Sequence, residues 1–339
     1  MTVRQLLVAA VVLMWSVTAA AQTDWVLYEG NPVVPGVSAD EWPGLVRYVE
    51  AVVEVHGTYH MFFTGTAVAF GVDHEIGHAT SSDGISWTMD SQNPVMTPET
   101  EGAWEVASYV SLAAVHDGTQ FRMWYGGCDS SGLCQVGMAT SPDGSAWTRY
   151  SENPVFEAGP VGSFDHRVVM PATVIRRGAL YHMWYGAAEE PTLYTTYTIG
   201  YATSSDGVTW VRHPSAVLEP GPSSWDGYQV FAPGVIFDGI SYHMWYTGVW
   251  GFGVNLIGFQ IGYATSPDGI SWTKDPANPI DVLGGLAELP RVLLHAHRHE
   301  CEMFYNNPTD FEFSVNRATS SCTAFAQFRR SSGRRIRSK

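Results

Sequence analysis

The stretch IGYATSPDGISWTKD, Ile261 to Asp275, is nearly repeated as IGYATSSDGVTWVRH, Ile199 to His213. Aligning the chain on itself extends the match. Ala-Thr-Ser recurs at Ala79, Ala139, Ala202, Ala264 and Ala318, and Met followed by two aromatics recurs at Met61, Met123, Met183, Met244 and Met303. Two signatures in five copies, roughly sixty residues apart, mean five structural units. The tryptophan of S-x-D-G-x-x-W stands at Trp87, Trp147, Trp210 and Trp272, and the fifth copy breaks off after Ser320. Its missing piece is at the other end of the chain. Trp25 precedes Asn31-Pro32 as Trp87 precedes Asn93-Pro94, Trp147 precedes Asn153-Pro154 and Trp272 precedes Asn278-Pro279. A terminal strand lent from one end of the chain to the other closes a ring, whereas a solenoid keeps its ends apart. The expectation is an all-β, five-bladed β-propeller of four-stranded blades, closed by the N-terminal strand.

Each unit divides into four strands. In the third, PATVIRR from Pro171, LYHMWYGA from Leu180, TIGYATS from Thr198 and TWVRH from Thr209 are separated by turns at Gly178 and Asp206-Gly207. The repeated Asp, Gly and Trp are read as structural, a turn and an inter-blade plug. Function is then sought in what does not repeat. The connections from second to third strand differ in every copy, and with the starts of the innermost strands they open on one face, the funnel.

Composition narrows the classes. Hydrophobic residues make up 45% of the 339 residues and charged ones 15%, which suits a filled globular core. A formal charge of -15 argues against nucleic-acid binding, which needs a basic face. Residues 1–21 read as a secretory signal: Arg4, an apolar run from Leu6 to Val17, then small residues before Gln22. The run is short for a membrane anchor, and no later segment reads as a span. The expected domains are a signal at 1–21, the propeller at 22–325 and a basic, flexible tail at 326–339, in a secreted or periplasmic protein. Export permits disulfides, and the local pairings Cys128–Cys134 and Cys301–Cys322 are favoured over zinc because no C-x-x-C is present.

Aromatic-acid pairs recur in the funnel segments as Trp104-Glu105, Phe164-Asp165 and Trp225-Asp226, which favours a structural role for those acids. Glu50 and Glu288 have no counterparts in other units and are the better catalytic candidates. Around them lie Arg47, Tyr48, Tyr109, His166, Arg167, Tyr228, Gln229 and Arg291, with Trp250, Phe252, Tyr194 and Tyr197 in the long loops. Arginine and carboxylate grip vicinal hydroxyls, and aromatic faces stack on sugar rings, so the set points to carbohydrate. His295, His297 and His299 alternate near the fifth inner strand. A shared metal site there is weighed against simple exposure at a turn, and exposure is favoured.

The rhythm YHMWYTG at Tyr242, IGYATSPDGISW at Ile261 and NPI at Asn278 resembles the five-bladed propellers of the glycoside hydrolase superfamily of families 43, 32 and 130, over nearly all of Trp25 to Ser320. The resemblance implies an aspartate base at the start of blade one, a second aspartate in blade two and a glutamate acid in blade three. Glu50 occupies the first place, with Glu for Asp. The second place falls near Ser111 and the third near Val169 or Met170, so two roles lack a carboxylate, and Asp165 or Glu288 is the substitute acid. No cofactor is implied. Related propellers sometimes hold an axial calcium ion, for which this sequence specifies no ligands. The expected function is a secreted glycosidase working through two carboxylates on an oligo- or polysaccharide. The competing classes are a carbohydrate-binding propeller without catalysis and a purely structural one.

Overall fold

The computed structural model describes residues 24–34, 45–66, 75–98, 104–106, 108–190, 195–222, 225–251, 258–309 and 312–322. The expected signal and the basic tail lie outside them. The described chain is all-β apart from one 3-10 turn at Asp281–Leu283. After β1 (Val26–Leu27) come β2 (Leu45–Val55), β3 (Thr58–Thr66), β4 (Glu75–Ser81) and β5 (Thr88–Met89). The second group is β6 (Ser108–His116), β7 (Phe121–Cys128), β8 (Cys134–Ser141) and β9 (Thr148–Arg149). The third is β10 (Val168–Arg177), β11 (Leu180–Ala188), β12 (Thr198–Ser204) and β13 (Trp210–Arg212). The fourth is β14 (Gln229–Phe237), β15 (Tyr242–Trp250), β16 (Gly258–Ser266) and β17 (Thr273–Lys274), and the last is β18 (Glu288–His295), β19 (Glu300–Thr309) and β20 (Glu312–Ser321).

Each group is an antiparallel meander. The second and third are joined into one sheet by a parallel contact of Val168 with Cys134, and β1 supplies the fourth strand of the last meander. Val26 lies opposite Thr319 and Leu27 opposite Ala318, as the terminal repeat requires.

The outer strands are only two or three residues long, and the repeated asparagine compensates. Asn93 accepts from the His78 N–H at 2.8 Å and donates to the His78 carbonyl at 2.9 Å, pairing as a backbone residue would. Asn153 clasps Met138 and Asn278 clasps Tyr263 in the same way. Asn31 clasps Arg317 across a separation of 286 residues, at 2.8 and 2.9 Å. The Asp-Gly turns repeat as faithfully. Asp206 Oδ1 accepts from the N–H groups of Val208 and Thr209 at 2.8 and 2.7 Å, while Gly207 takes the positive φ of 84° that the turn needs.

The core lies between the meanders. In the Met-Trp-Tyr of β11, Met183 and Tyr185 pack toward the second meander and Trp184 toward the fourth, all fully buried. The middle aromatic of each such triplet meets the turn tryptophan of the next meander edge to face. Phe62 meets Trp147 at 5.5 Å, Trp124 meets Trp210 at 5.8 Å, and Trp184 meets Trp272 at 6.3 Å. Trp245 meets Trp25 at 5.6 Å, and Phe304 meets Trp87 at 5.8 Å, so the last meander leads back to the first. The result is a propeller-like architecture. Both expected disulfides are present, with Cα separations of 4.0 Å for Cys128–Cys134 and 5.7 Å for Cys301–Cys322.

Trp25 is the test of the terminal loan. Trp25→Ala removes the buried ring between the fourth and last meanders and should cost about 3–5 kcal/mol. The expected thermal melt is one cooperative transition at lower temperature. An unchanged midpoint would show that the N-terminal strand is not part of the cooperative unit.

Candidate functional site

The innermost strands β2, β6, β10, β14 and β18 contact one another in that order, and β18 contacts β2. Each pairs with its neighbour through a register shift at the same level: Val49/Ala51, Tyr109/Ser111, Pro171/Thr173, Phe231/Gly234 and Glu288/Arg291. A bulge places an extra residue in a strand and re-aims its side chain. Here the displaced residues are Glu50, Val110, Ala172, Ala232 and Leu289, all of which line one cavity of about 290 Å³. Ala232 and Leu289 adopt left-handed φ values of 49° and 53°, sparsely populated for residues with a Cβ, and backbone of that kind concentrates at functional sites. The Leu289 N–H is held by Thr247 Oγ1 at 2.9 Å.

Glu50 and Glu288 converge on this cavity from the adjacent strands β2 and β18. Glu50, 1% exposed, lies between it and a second cavity of about 520 Å³ that runs between the inner strands and is also lined by Arg291. Arg291 Nη2 donates to Glu50 Oε2 at 3.1 Å, and both partners are buried. Thr64 Oγ1 lies 3.4 Å from the other carboxylate oxygen. Ser111 Oγ is also 3.4 Å from Glu50, but its single proton is committed to the Pro171 carbonyl at 2.6 Å. Arg291 is therefore the principal partner of Glu50.

The two carboxyls have different surroundings. Burial raises the Glu50 carboxyl above its ordinary value of 4.5, against the Arg291 charge and hydrogen bond and the Leu112 backbone. Burial also raises Glu288, to about 8, and the charge of Glu50 adds to the effect instead of opposing it. Pushed up to about 8, Glu288 stays largely protonated at neutral pH, beside Glu50 and its Arg291 partner. Two neighbouring carboxyls in different environments are a pattern that general acid–base chemistry can use.

Tyr48, Tyr228 and Gln229 line the same cavity, as does Tyr197. Gln229 is oriented by donation from its amide to the Thr195 carbonyl at 2.7 Å. Arg291 lies beneath the cavity as the Glu50 partner. The remaining candidates are elsewhere. Tyr109 is fully buried, and its hydroxyl donates to the Thr97 carbonyl. His166 faces the Glu189 carbonyl and Arg167 the Ser131 carbonyl, outside the cavity lining. Trp250, 36% exposed, ends β15 without lining the cavity. The Arg47 side chain, Tyr194 and Phe252 lie outside the described residues.

Asp165, weighed as a substitute acid, lies outside the cavity lining and in a clasp. It is fully buried and accepts from Arg212 Nε at 2.6 Å, the Tyr185 hydroxyl at 2.9 Å and Ser163 Oγ at 2.9 Å. Glu105 with Arg149 at 2.7 Å and Asp226 with Lys274 at 2.6 Å repeat the design, tying each short outer strand to the segment before the inner one. The histidines also separate. His295 pairs with Glu54 and Glu302 at 3.1 and 2.7 Å, while His297 and His299 are exposed in the following turn. Among the described residues no three His, Cys, Asp or Glu side chains are grouped to hold a metal ion, and no helix is long and apolar enough to cross a membrane.

Meanders around one axis, with two carboxyls gathered in a cavity between their inner strands, define a glycoside-hydrolase-like β-propeller fold. Residues 48–168 match the model of the glycosyl hydrolases family 32 N-terminal domain. The chain is similar to solved glycoside hydrolases of the same architecture. A thermostable family-43 glycoside hydrolase superposes with a TM-score of 0.62 at 16% identity, covering 80% of this chain and 88% of that one. A Bombyx mori GH32 β-fructofuranosidase superposes with a TM-score of 0.60 at 16% identity, covering 83% of this chain and 63% of that one. Uncharacterized proteins of two Mycobacterium tuberculosis strains are 30% identical over 176 residues, 50% of this chain. The match spans 58% of the length of those relatives.

The pH dependence of stability tests the Glu288 environment. A carboxyl raised from 4.5 to about 8 on folding stabilises the fold fully below pH 4.5 and loses that contribution as pH rises through about 8. Glu288→Gln should therefore match wild type near pH 4 and exceed it at pH 8 by on the order of 3–5 kcal/mol. Chemical denaturation across that range should show the gap opening with pH, and parallel profiles would place Glu288 in contact with water.

Proposed function

We propose that this chain is an exported glycoside hydrolase built as a closed five-bladed propeller, with residues 22–325 as the folded domain behind a signal at 1–21 and ahead of a basic tail at 326–339. The substrate is an oligo- or polysaccharide, and the site is the cavity of Glu50 and Glu288. What supports this is that the two unrepeated carboxyls line one cavity, Glu50 against Arg291 at 3.1 Å and Glu288 raised to about 8. Glu288 is the general acid that protonates the departing glycosidic oxygen, and Glu50 is the base that activates water, or the nucleophile if the ring is attacked directly. Tyr48, Tyr228 and Gln229 bind and orient the sugar, and Arg291 opposes the effect of burial on Glu50. The ring of five edge-to-face aromatic contacts supports the blade count.

A second reading, a carbohydrate-binding propeller without turnover, draws on one specific observation. The places where the resemblance implies a second and a third carboxyl fall near Ser111 and near Val169 or Met170, none of which is an acid. Substitution separates the two readings. Glu288→Gln and Glu50→Gln keep shape and hydrogen-bonding groups but not acid–base function, so turnover should fall roughly 10²- to 10⁴-fold with little change in sugar affinity. Glu288→Gln should lose most on substrates with poor leaving groups, and wild-type kcat/KM should fall as pH rises past about 8. Purified protein that binds sugars but cleaves no aryl glycoside or polysaccharide would leave the binding reading in place.

A further inference from the structure

The cavity is two-sided. Its carboxyls come from β2 and β18, which are neighbours, while β6, β10 and β14 present an apolar wall opposite them. Val110, Met170 and Tyr197 pack on the Cys128–Cys134 disulfide, Val168 and Ala188. Tyr197 meets Phe231 edge-on at 6.4 Å, and Phe231 meets Phe259 at 6.5 Å, so the wall continues across two meanders. Of the polar groups on this side, the Ser111 hydroxyl donates to the Pro171 carbonyl at 2.6 Å and the Gln229 amide to the Thr195 carbonyl at 2.7 Å, while Val110, Met170 and Phe231 carry no side-chain N–H or O–H.

A sugar ring seated in the cavity meets no side-chain donor where it lies against Val110, Met170 and Phe231. A hydroxyl pressed into the wall gives up its water and gains no partner, which is the expensive way to bury a polar group. A methyl group in the same place is buried favourably. A cavity of about 290 Å³ is also at the small end of ligand pockets and suits one ring, not an extended chain.

We propose that the sugar unit held in this cavity carries a methyl group where common hexoses carry a hydroxyl, as a 6-deoxyhexose or an O-methylated sugar does, with that methyl against Val110, Met170 and Phe231. The proposal rests on the sugar-site reading above and names the substrate class of that site.

The test compares matched ligands on the intact protein. Methyl glycosides of fucose, rhamnose and 6-deoxyglucose, in both anomers, are titrated calorimetrically beside 6-hydroxyl counterparts of the same configuration. A parallel set compares O-methylated hexoses with their parents. The expected result is that at least one methyl-bearing member binds roughly 10- to 100-fold tighter than its partner, the range expected when a hydroxyl must be buried without a hydrogen bond. Met170→Gln, which gives the wall a donor and an acceptor, should bring that pair toward parity, with its melting curve confirming the fold. Equal binding within every pair, tighter binding of the hydroxylated members, or no binding of any would overturn the proposal. Methyl preference without hydrolysis of the corresponding aryl glycosides would sustain it while removing the hydrolase reading. Hydrolysis without methyl preference would do the reverse.

Discussion

The edge-to-face contact between the middle aromatic of one meander and the turn tryptophan of the next is the interaction on which the rest depends. It occurs five times in cyclic order, with interplanar angles between 78° and 83°. That geometry is one of those favoured by the quadrupoles of two aromatic rings. Each contact fixes one sheet against its neighbour, and the Phe304–Trp87 contact relates the last sheet to the first. The Asp-Gly-x-x-Trp turn and the asparagine clasp serve this contact. One aims the tryptophan, and the other holds a two-residue strand in register beneath it.

With the sheets fixed, the inner strands are free to bulge. Five register shifts at one level turn Glu50, Val110, Ala172, Ala232 and Leu289 into a single cavity. Charge is then balanced locally. Arg291 neutralises Glu50 from below, and Glu288 is neutral because burial and Glu50 both oppose its ionisation. A cavity holding a neutral pair and a neutral acid suits an uncharged ligand such as a sugar.

The fold was largely legible in the sequence because each of its devices is local and repeated. The turns, the aromatic triplets and the Asn-Pro steps all lie within short spans, and even the terminal loan is visible as a displaced copy. Glu50 and Glu288 were legible for the opposite reason, as unrepeated acids at a repeated place. Four things were not. The pairing of Glu50 with Arg291 spans 241 residues, and no local spacing signals it. The bulges shift which side chains face the axis, so Tyr109, next to a shifted position, turns into the core instead of the cavity. Asp165 was distinguishable from a catalytic acid only by its companions Glu105 and Asp226. Their shared pairing with a basic residue on the short outer strand, Arg149, Arg212 or Lys274, is the signal that identifies all three as clasps. The apolar wall of Val110, Met170, Phe231 and Phe259 also escaped notice, because apolar residues on buried strands read as core.

Burial beside Glu50 is what should hold Glu288 protonated at neutral pH. Carbon-13 NMR of protein labelled at the glutamate side-chain carboxyl carbon, with Glu50→Gln and Glu288→Gln for assignment, measures this directly. The Glu288 signal should have the shift of a protonated acid at pH 6 and move to that of a carboxylate with a midpoint near 8. A Glu288 signal that titrates in the ordinary carboxylate range would contradict this.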